Sequence, residues 1–239
     1  MKKIDVINPA TQEKVRSYDQ MSFSEAKKVI HKTQQSWLEW RNTSFAYRAE
    51  RLREAAQILR GRQEPYARLM TEEMGKIHSQ GRAEIEKCAN TCDYYAEHGA
   101  NFLAPENIAT DARHSFVSFQ PLGIILAVMP WNFPFWQVLR FATPALMAGN
   151  VCLLKHASNV PGCALAIEDV FRDAGFPEHA FRALLLSGSQ VAEVIEDPRI
   201  QAVTLTGSTP AGQAVAAKAG EMLKKTVLEL GGSDPYIVL

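Results

Sequence analysis

The sequence predicts an α/β protein built on a parallel β-sheet with helices on both faces. Three observations carry this. From Pro121 onward, short apolar runs of strand length alternate with helix-length amphipathic segments, the pattern of strand–crossover–strand units. The strand runs, such as Ile124 to Met129, are continuously apolar, as strands buried on both faces are. The chain has 239 residues, 46% of them hydrophobic and 22% charged, enough for a sizeable core and unlike a disordered chain.

The elements come in order. The first hundred residues read as helices. Ser22-x-x-Glu25 is a capping box, followed by Ala26, Val29, Ile30, Trp37 and Trp40 at helical spacing. Arg48 to Arg60 repeats the pattern through Leu52, Ala55, Ala56 and Leu59. A third helix is predicted from about Arg82 to Glu97, with Ile85, Cys88, Cys92 and Tyr95 on one stripe and Gly99 as its C-cap. Leu103 to Gln120 changes character, with Pro105, Asn107 and Asp111 in loops before the β-rich run His114 to Phe119, and reads as a ribbon or arm. Beyond it come strand Ile124–Met129, helix Phe135–Met147, strand Val151–Leu154 and helix Pro161–Asp173 with Gly175 as C-cap. Strand Ala183–Leu186, a short helix Gln190–Ile195, strand Gln201–Leu205, helix Pro210–Leu223 and strand Thr226–Leu230 complete the series. The chain thus divides into a helical part (1–102), an arm (103–120) and an α/β core (121–239).

Composition excludes several classes. Lys and Arg number 26 and Asp and Glu 26, so the electrostatic footprint of a nucleic-acid or membrane-surface binder is missing. The N-terminus carries two lysines but no apolar signal core, and the longest apolar run is too short to span a bilayer, which makes the cytoplasm the default compartment. Cys88, Cys92, Cys152 and Cys163 form no Cys-x-x-Cys pair and have no histidine at finger spacing, so neither zinc nor a disulfide framework is expected. The apolar run Asp234 to Leu239 has no polar tail, and the sequence is expected to be part of something longer.

Ligands of such sheets sit at the carboxyl ends of the strands, so the residues just after each strand are the candidates for chemistry. After Met129 comes Pro130-Trp131-Asn132-Phe133-Pro134, where two prolines hold Asn132 on a rigid turn with its amide free to donate. The second strand ends at Lys155-His156-Ala157-Ser158, a lysine placed for a hydroxyl or phosphate. A later strand ends in Thr206-Gly207-Ser208 and opens a helix, where glycine permits close approach and the free N–H groups favour phosphate. Gln213 stands where a Walker loop needs Lys, and no Gly-x-Gly-x-x-Gly is present. The last strand carries Glu229 between two leucines, and a carboxyl group in apolar surroundings has its pKa raised, as suits a general base. Each feature alone is equally a structural turn, a surface lysine, a helix cap or a solvated glutamate. Together, at the ends of strands in one sheet, they converge on one cleft.

Pro-Trp-Asn-Phe-Pro at 130–134, Gly149-Asn150 leading to Lys155, Thr-Gly-Ser at 206–208 and Leu-Glu-Leu-Gly-Gly at 228–232 together resemble the NAD(P)-dependent aldehyde dehydrogenase superfamily over nearly the whole chain. The resemblance implies a Rossmann-like cofactor domain without the catalytic domain. It implies chemistry in which a cysteine thiolate attacks an aldehyde, hydride passes to the nicotinamide, and water hydrolyses the thioester. Asn132 would then serve the oxyanion and Glu229 would be the general base. Pro130 and Trp131 would line the cofactor pocket, Lys155 would hold the adenosine ribose, Gly207 and Ser208 would approach the pyrophosphate, and Leu230 would touch the nicotinamide end. Met129, His156, Ala157, Gly188, Thr206 and Ala211 extend that set. Members strict for NAD carry Glu where Ser158 stands; a neutral Ser158 with His156 nearby should admit a 2′-phosphate, so NADP is expected alongside NAD.

Arg140, together with Lys155 to Asn159 and Gly162-Cys163-Ala164, resembles the bacterial succinate-semialdehyde dehydrogenase branch, in which an arginine at this place binds the substrate's distal carboxylate. The expected partners are a small aldehyde and further copies of the chain, as a dimer or tetramer. The departure from the family is length. The nucleophile of the family lies downstream of Leu-Glu-Leu-Gly-Gly, and all four cysteines here precede Glu229, so these 239 residues alone are expected to be inactive. The alternative is a non-catalytic nucleotide-binding or interaction fragment; a weaker one assigns an unrelated phosphate ligand to the Thr-Gly-Ser loop.

Overall fold

The computed structural model describes residues 2–238. An antiparallel hairpin opens it, β1 (Lys3–Ile7) with β2 (Lys14–Asp19), which the sequence pattern does not announce. Its strands are largely exposed, tied by ion pairs such as Lys3–Asp19 at 2.6 Å, and of their residues only Val6 joins the core. Four helices come next: α1 (Phe23–Trp40), α2 (Phe45–Gly61), α3 (Gln63–Met74) and α4 (His78–Phe102). The capping box forms as expected: Ser22 Oγ accepts from the Glu25 N–H at 3.2 Å, and Glu25 Oε2 accepts from the Ser22 N–H at 2.8 Å.

Helix α3 is a second addition. Its Pro65 falls in the first turn, where an N–H has no intrahelical partner to lose. Gly99 is not a cap. The helix runs through it to Phe102, and Gly99 sits where Met147 presses so close that a Cβ would collide with it. The arm shrinks to a short antiparallel ribbon, β3 (Glu106–Asn107) with β4 (Phe116–Val117), whose apolar residues Phe116 and Val117 are exposed.

The core matches the predicted alternation closely: β5 (Ile124–Met129), α5 (Trp136–Met147), β6 (Val151–His156) and α6 (Pro161–Asp173). Then come β7 (Phe181–Ala183), a 3-10 turn at Gly188–Gln190, α7 (Val191–Glu196), β8 (Ile200–Gly207), α8 (Thr209–Glu221) and β9 (Lys225–Leu230). Strand β7 lies earlier than the apolar run 183–186 implied. Leu184 donates one more bond to Leu154 O at 2.7 Å, and the chain then leaves the sheet still buried. Gly175 does follow α6 in the left-handed region, with φ 78°.

All five core strands are parallel, in the order β7-β6-β5-β8-β9. Right-handed crossovers put α5 and α6 on one face and α8, which connects strands running the other way across the sheet, on the opposite face. The direction reverses between β5 and β8, and at that reversal a crevice opens outside the carboxyl ends. The two halves differ. β6 is almost wholly buried, whereas β9 is exposed along most of its length, Val227 by 63%. No helix among the described residues is long and apolar enough to cross a membrane.

Candidate active site

The crevice at the β5/β8 reversal is a cleft of about 480 Å³ lined by Pro130, Trp131, Asn132, Gln137, Arg140, Thr206, Gly207, Ser208, Glu229, Leu230 and Gly231. An apolar groove of about 440 Å³ continues from it along the uncovered face of β8 and β9, past Ile125, Met129, Phe141, Ala202 and Val227. Arg140 and Gln137 border both. Most of the cleft residues are among those the sequence singles out. Gln137 carries no signal there, and Gly231 enters only as part of the Leu-Glu-Leu-Gly-Gly motif.

Asn132 sits on the turn with its side chain exposed, and its carboxamide has no hydrogen-bond partner among the described residues. The turn beneath it is fixed from below. Lys76 Nζ donates to Asn132 O at 2.9 Å and stands 3.6 Å from the centre of the Phe133 ring. Lys76 forms a buried ion pair with Glu84 at 2.6 Å, and Glu84 Oε1 accepts from the N–H groups of Phe135 and Trp136 at 2.9 and 2.8 Å. These two residues carry no local sequence signal, because they act across about fifty residues of chain.

His156 secures the same turn from the β6 side. Its ring is buried; Nδ1 accepts from the Ala157 N–H at 2.9 Å, which leaves the proton on Nε2 to donate to Pro134 O, also at 2.9 Å. Burial lowers its pKa to about 4, so it is neutral near pH 7. The expectation that His156 helps receive a 2′-phosphate therefore fails for the side chain: the ring is uncharged and spent on the turn. Ser158, by contrast, is exposed just beyond β6, and Lys155 is partly buried, its pKa pushed down by that burial.

Glu229 and Arg140 meet in the cleft, Arg140 Nη2 lying 3.6 Å from Glu229 Oε2 and 3.4 Å from Thr206 Oγ1. The apolar setting expected for Glu229 is not found, since its side chain is 56% exposed. Successive residues of a strand face opposite sides of the sheet. Glu229 therefore turns to the groove face, while the neighbouring Leu230 packs against Gly212 on α8. Adjacent leucines in the sequence do not enclose the carboxylate between them.

Helix ends decide where a phosphate fits. The N-terminus of α5 is closed by Glu84, and that of α6 by buried Glu73, whose carboxylate accepts from Gly162 N–H at 2.9 Å and Cys163 N–H at 3.0 Å. At α8 the cap is the Ser208 hydroxyl, which accepts from Ala211 N–H at 3.4 Å, and no carboxylate lies in the first turn. A Cβ on Gly207 would meet nothing closer than 3.6 Å, so the approach is open. Ala211 and Thr206 flank this end. Gly188 lies apart from it, exposed at the start of the 3-10 turn. Gly149-Asn150 is structural: Gly149, at φ 86°, leaves room for the Arg48 guanidinium, and Asn150 Oδ1 accepts from Leu122 and Gly123 N–H groups at 2.7 and 3.1 Å.

The four cysteines are all buried. Burial raises every thiol, Cys92 to about 12, and none offers a ready thiolate.

Fold and cleft together define an α/β protein with its candidate site at the switch point of a parallel sheet. The sequence matches the aldehyde dehydrogenase family across residues 1–239, and the chain belongs to that family. It is 56% identical over 236 residues to a probable succinate-semialdehyde dehydrogenase [NADP(+)] of Synechocystis sp. (strain ATCC 27184 / PCC 6803 / Kazusa), covering 99% of this chain and 52% of the relative. It is 48% identical over 233 residues to the succinate semialdehyde dehydrogenase [NAD(P)+] Sad of Escherichia coli (strain K12), covering 98% of this chain and 50% of the relative. Among solved structures, the succinic semialdehyde dehydrogenase of Streptococcus pyogenes in complex with NADP+ superposes with a TM-score of 0.93 at 37% identity, over 96% of this chain and 51% of that one. The chain spans about half the length of the curated relatives it matches.

Proposed function

We propose that these 239 residues are the cofactor-binding half of an aldehyde dehydrogenase that oxidises succinic semialdehyde to succinate with NADP+ or NAD+, the nucleophilic cysteine being supplied by sequence outside them. The observation that carries this is the convergence of Asn132, Glu229 and Arg140 on one cleft, next to the one crossover-helix N-terminus of α5, α6 and α8 that no carboxylate closes. The relatives' names point to the same substrate and cofactors, and four buried thiols support a nucleophile from elsewhere.

The residues present fit a dinucleotide. Gly207 and Ser208 receive the pyrophosphate at α8, Lys155 holds a ribose hydroxyl, and exposed Ser158 leaves the 2′ position free of a repelling carboxylate. Met129, Pro130, Trp131, Ala157, Thr206, Ala211 and Leu230 are assigned to its path, and Gly188, exposed at the 3-10 turn, to the part of the cofactor furthest from α8. The dinucleotide supplies the hydride acceptor. Asn132 donates its free amide N–H to the oxygen on which negative charge develops. Glu229 takes a proton from the attacking water, and Arg140 binds the substrate's distal carboxylate, exchanging its contact with Glu229 for one with the substrate. The exposed ribbon at 106–117 is the element through which copies associate.

Arg140→Ala in the full-length enzyme tests the substrate. KM for succinic semialdehyde rises far more than KM for an uncharged aldehyde of similar length; equal effects on both would refute the role. Turnover with NADP+ and NAD+ is comparable, and failure to bind NADP+ at all would remove the assignment of Ser158.

A further inference from the structure

The Asn132 turn is exposed and belongs to no ladder, yet an oxyanion donor works only if it is held within a fraction of an ångström. The amide of Asn132 has no partner of its own among the described residues, so its position is set by its backbone. Besides His156, which holds the Pro134 carbonyl, that backbone is gripped by a two-residue unit. Lys76, in the loop between α3 and α4, reaches the Asn132 carbonyl and the Phe133 ring; Glu84, on α4, reaches the Phe135 and Trp136 N–H groups. The two are joined to each other at 2.6 Å, with side chains only 6% and 1% exposed. The Lys76 loop is itself set by Gly75 at φ 76° and by Thr71 Oγ1, which donates to Lys76 O at 2.8 Å.

We propose that Lys76 and Glu84 are positioning residues for the Asn132 amide, a buried ion pair that fixes the 130–134 turn in the geometry that receives the oxyanion. The inference rests on reading Asn132 as the oxyanion donor. A buried ion pair contributes little net stability compared with packed apolar side chains of the same volume, and no apolar pair could hold a carbonyl and two N–H groups at once. The pair grips the Asn132 carbonyl and the residues that follow it, and leaves the carboxamide itself free. It also gives α5 its N-terminal cap, so Arg140, one turn further on, inherits the same frame.

The test is a double-mutant cycle in the full-length enzyme, with the catalytic half supplied by its own gene or by the Synechocystis relative. Lys76→Met is expected to lower kcat roughly 10- to 100-fold while KM for the aldehyde and Kd for NADP+ change by less than about twofold. In an Asn132→Ala background the same substitution is expected to change kcat by less than about twofold, because fixing the turn matters only when the amide is there. Glu84→Gln keeps an acceptor for Phe135 and Trp136 but removes the negative charge that faces Lys76, and gives a second route should Lys76→Met fail to fold. If the losses from Lys76→Met and Asn132→Ala multiply instead, or if KM and Kd move with kcat, the pair does not act through Asn132 and the proposal is overturned. If Asn132→Ala alone leaves kcat unchanged, it is the oxyanion reading that fails, and the two failures are told apart by that single mutant.

Discussion

The N-termini of α5 and α6 are closed and that of α8 is open. The first two lie inside the molecule and are capped by glutamates from distant helices, Glu84 and Glu73; the third faces the cleft with only the hydroxyl of Ser208 upon it. Every helix start presents unpaired N–H groups and partial positive charge. A buried start must be satisfied from within, whereas one at a ligand cleft stays available to an anion. In one sheet, the same backbone feature is thus closed by a carboxylate twice and left open once, and only the open one can receive an anion.

Opening a closed end has the largest effect. Glu84→Ala strands two N–H groups and the buried Lys76 ammonium, and costs about 3–5 kcal/mol in urea unfolding. Glu73→Ala strands two N–H groups but no buried cation, and costs about 1–3 kcal/mol; a larger loss there than at Glu84 would break the ranking. Glu73 has a further signature. Burial raises its pKa above the ordinary 4.5 in spite of the two N–H donors. The folded chain therefore holds the Glu73 proton more tightly than the unfolded chain, so its contribution to stability is fully present below pH 4.5 and is lost as pH rises through the raised value. Glu73→Gln removes that fall, which unfolding free energies measured from about pH 4 to about pH 8 would show.

The glutamate caps mark the limit of what the sequence makes legible. Alternating apolar strands and amphipathic helices are local patterns, and β5 and α6 occupy the residues the pattern implied. So are the strand ends, which is why Asn132, Glu229 and the Ser208 turn were visible. The features that were not visible act at a distance. Gly162, part of the run that suggested the succinate-semialdehyde branch, leaves room for the Glu73 carboxylate, nearly ninety residues earlier in the chain. Gly99 reads as a stop only until Met147 is placed against it. The hairpin β1–β2 has no apolar run to announce it. Glu229 misled in a simpler way, because its neighbours in sequence are not its neighbours in space.

Closing the open end is the smallest change in stability and the sharpest test. Ser208→Asp retains a good N-cap and adds negative charge beside the first turn of α8, making this helix resemble α5 and α6. The charge interacts favourably with the helix end, so the apo protein gains about 0.3–1 kcal/mol in thermal or urea unfolding. The same carboxylate stands where the pyrophosphate is to bind, and two anions near 4 Å repel by several kcal/mol even at an effective dielectric of about 20. Titration of NADP+ against the variant should therefore show affinity reduced roughly tenfold or more. Stability and ligand binding then move in opposite directions from one substitution. If Ser208→Asp stabilised the protein and left NADP+ binding unchanged, the pyrophosphate would have to bind elsewhere, and the open start of α8 would be a surface helix cap and nothing more.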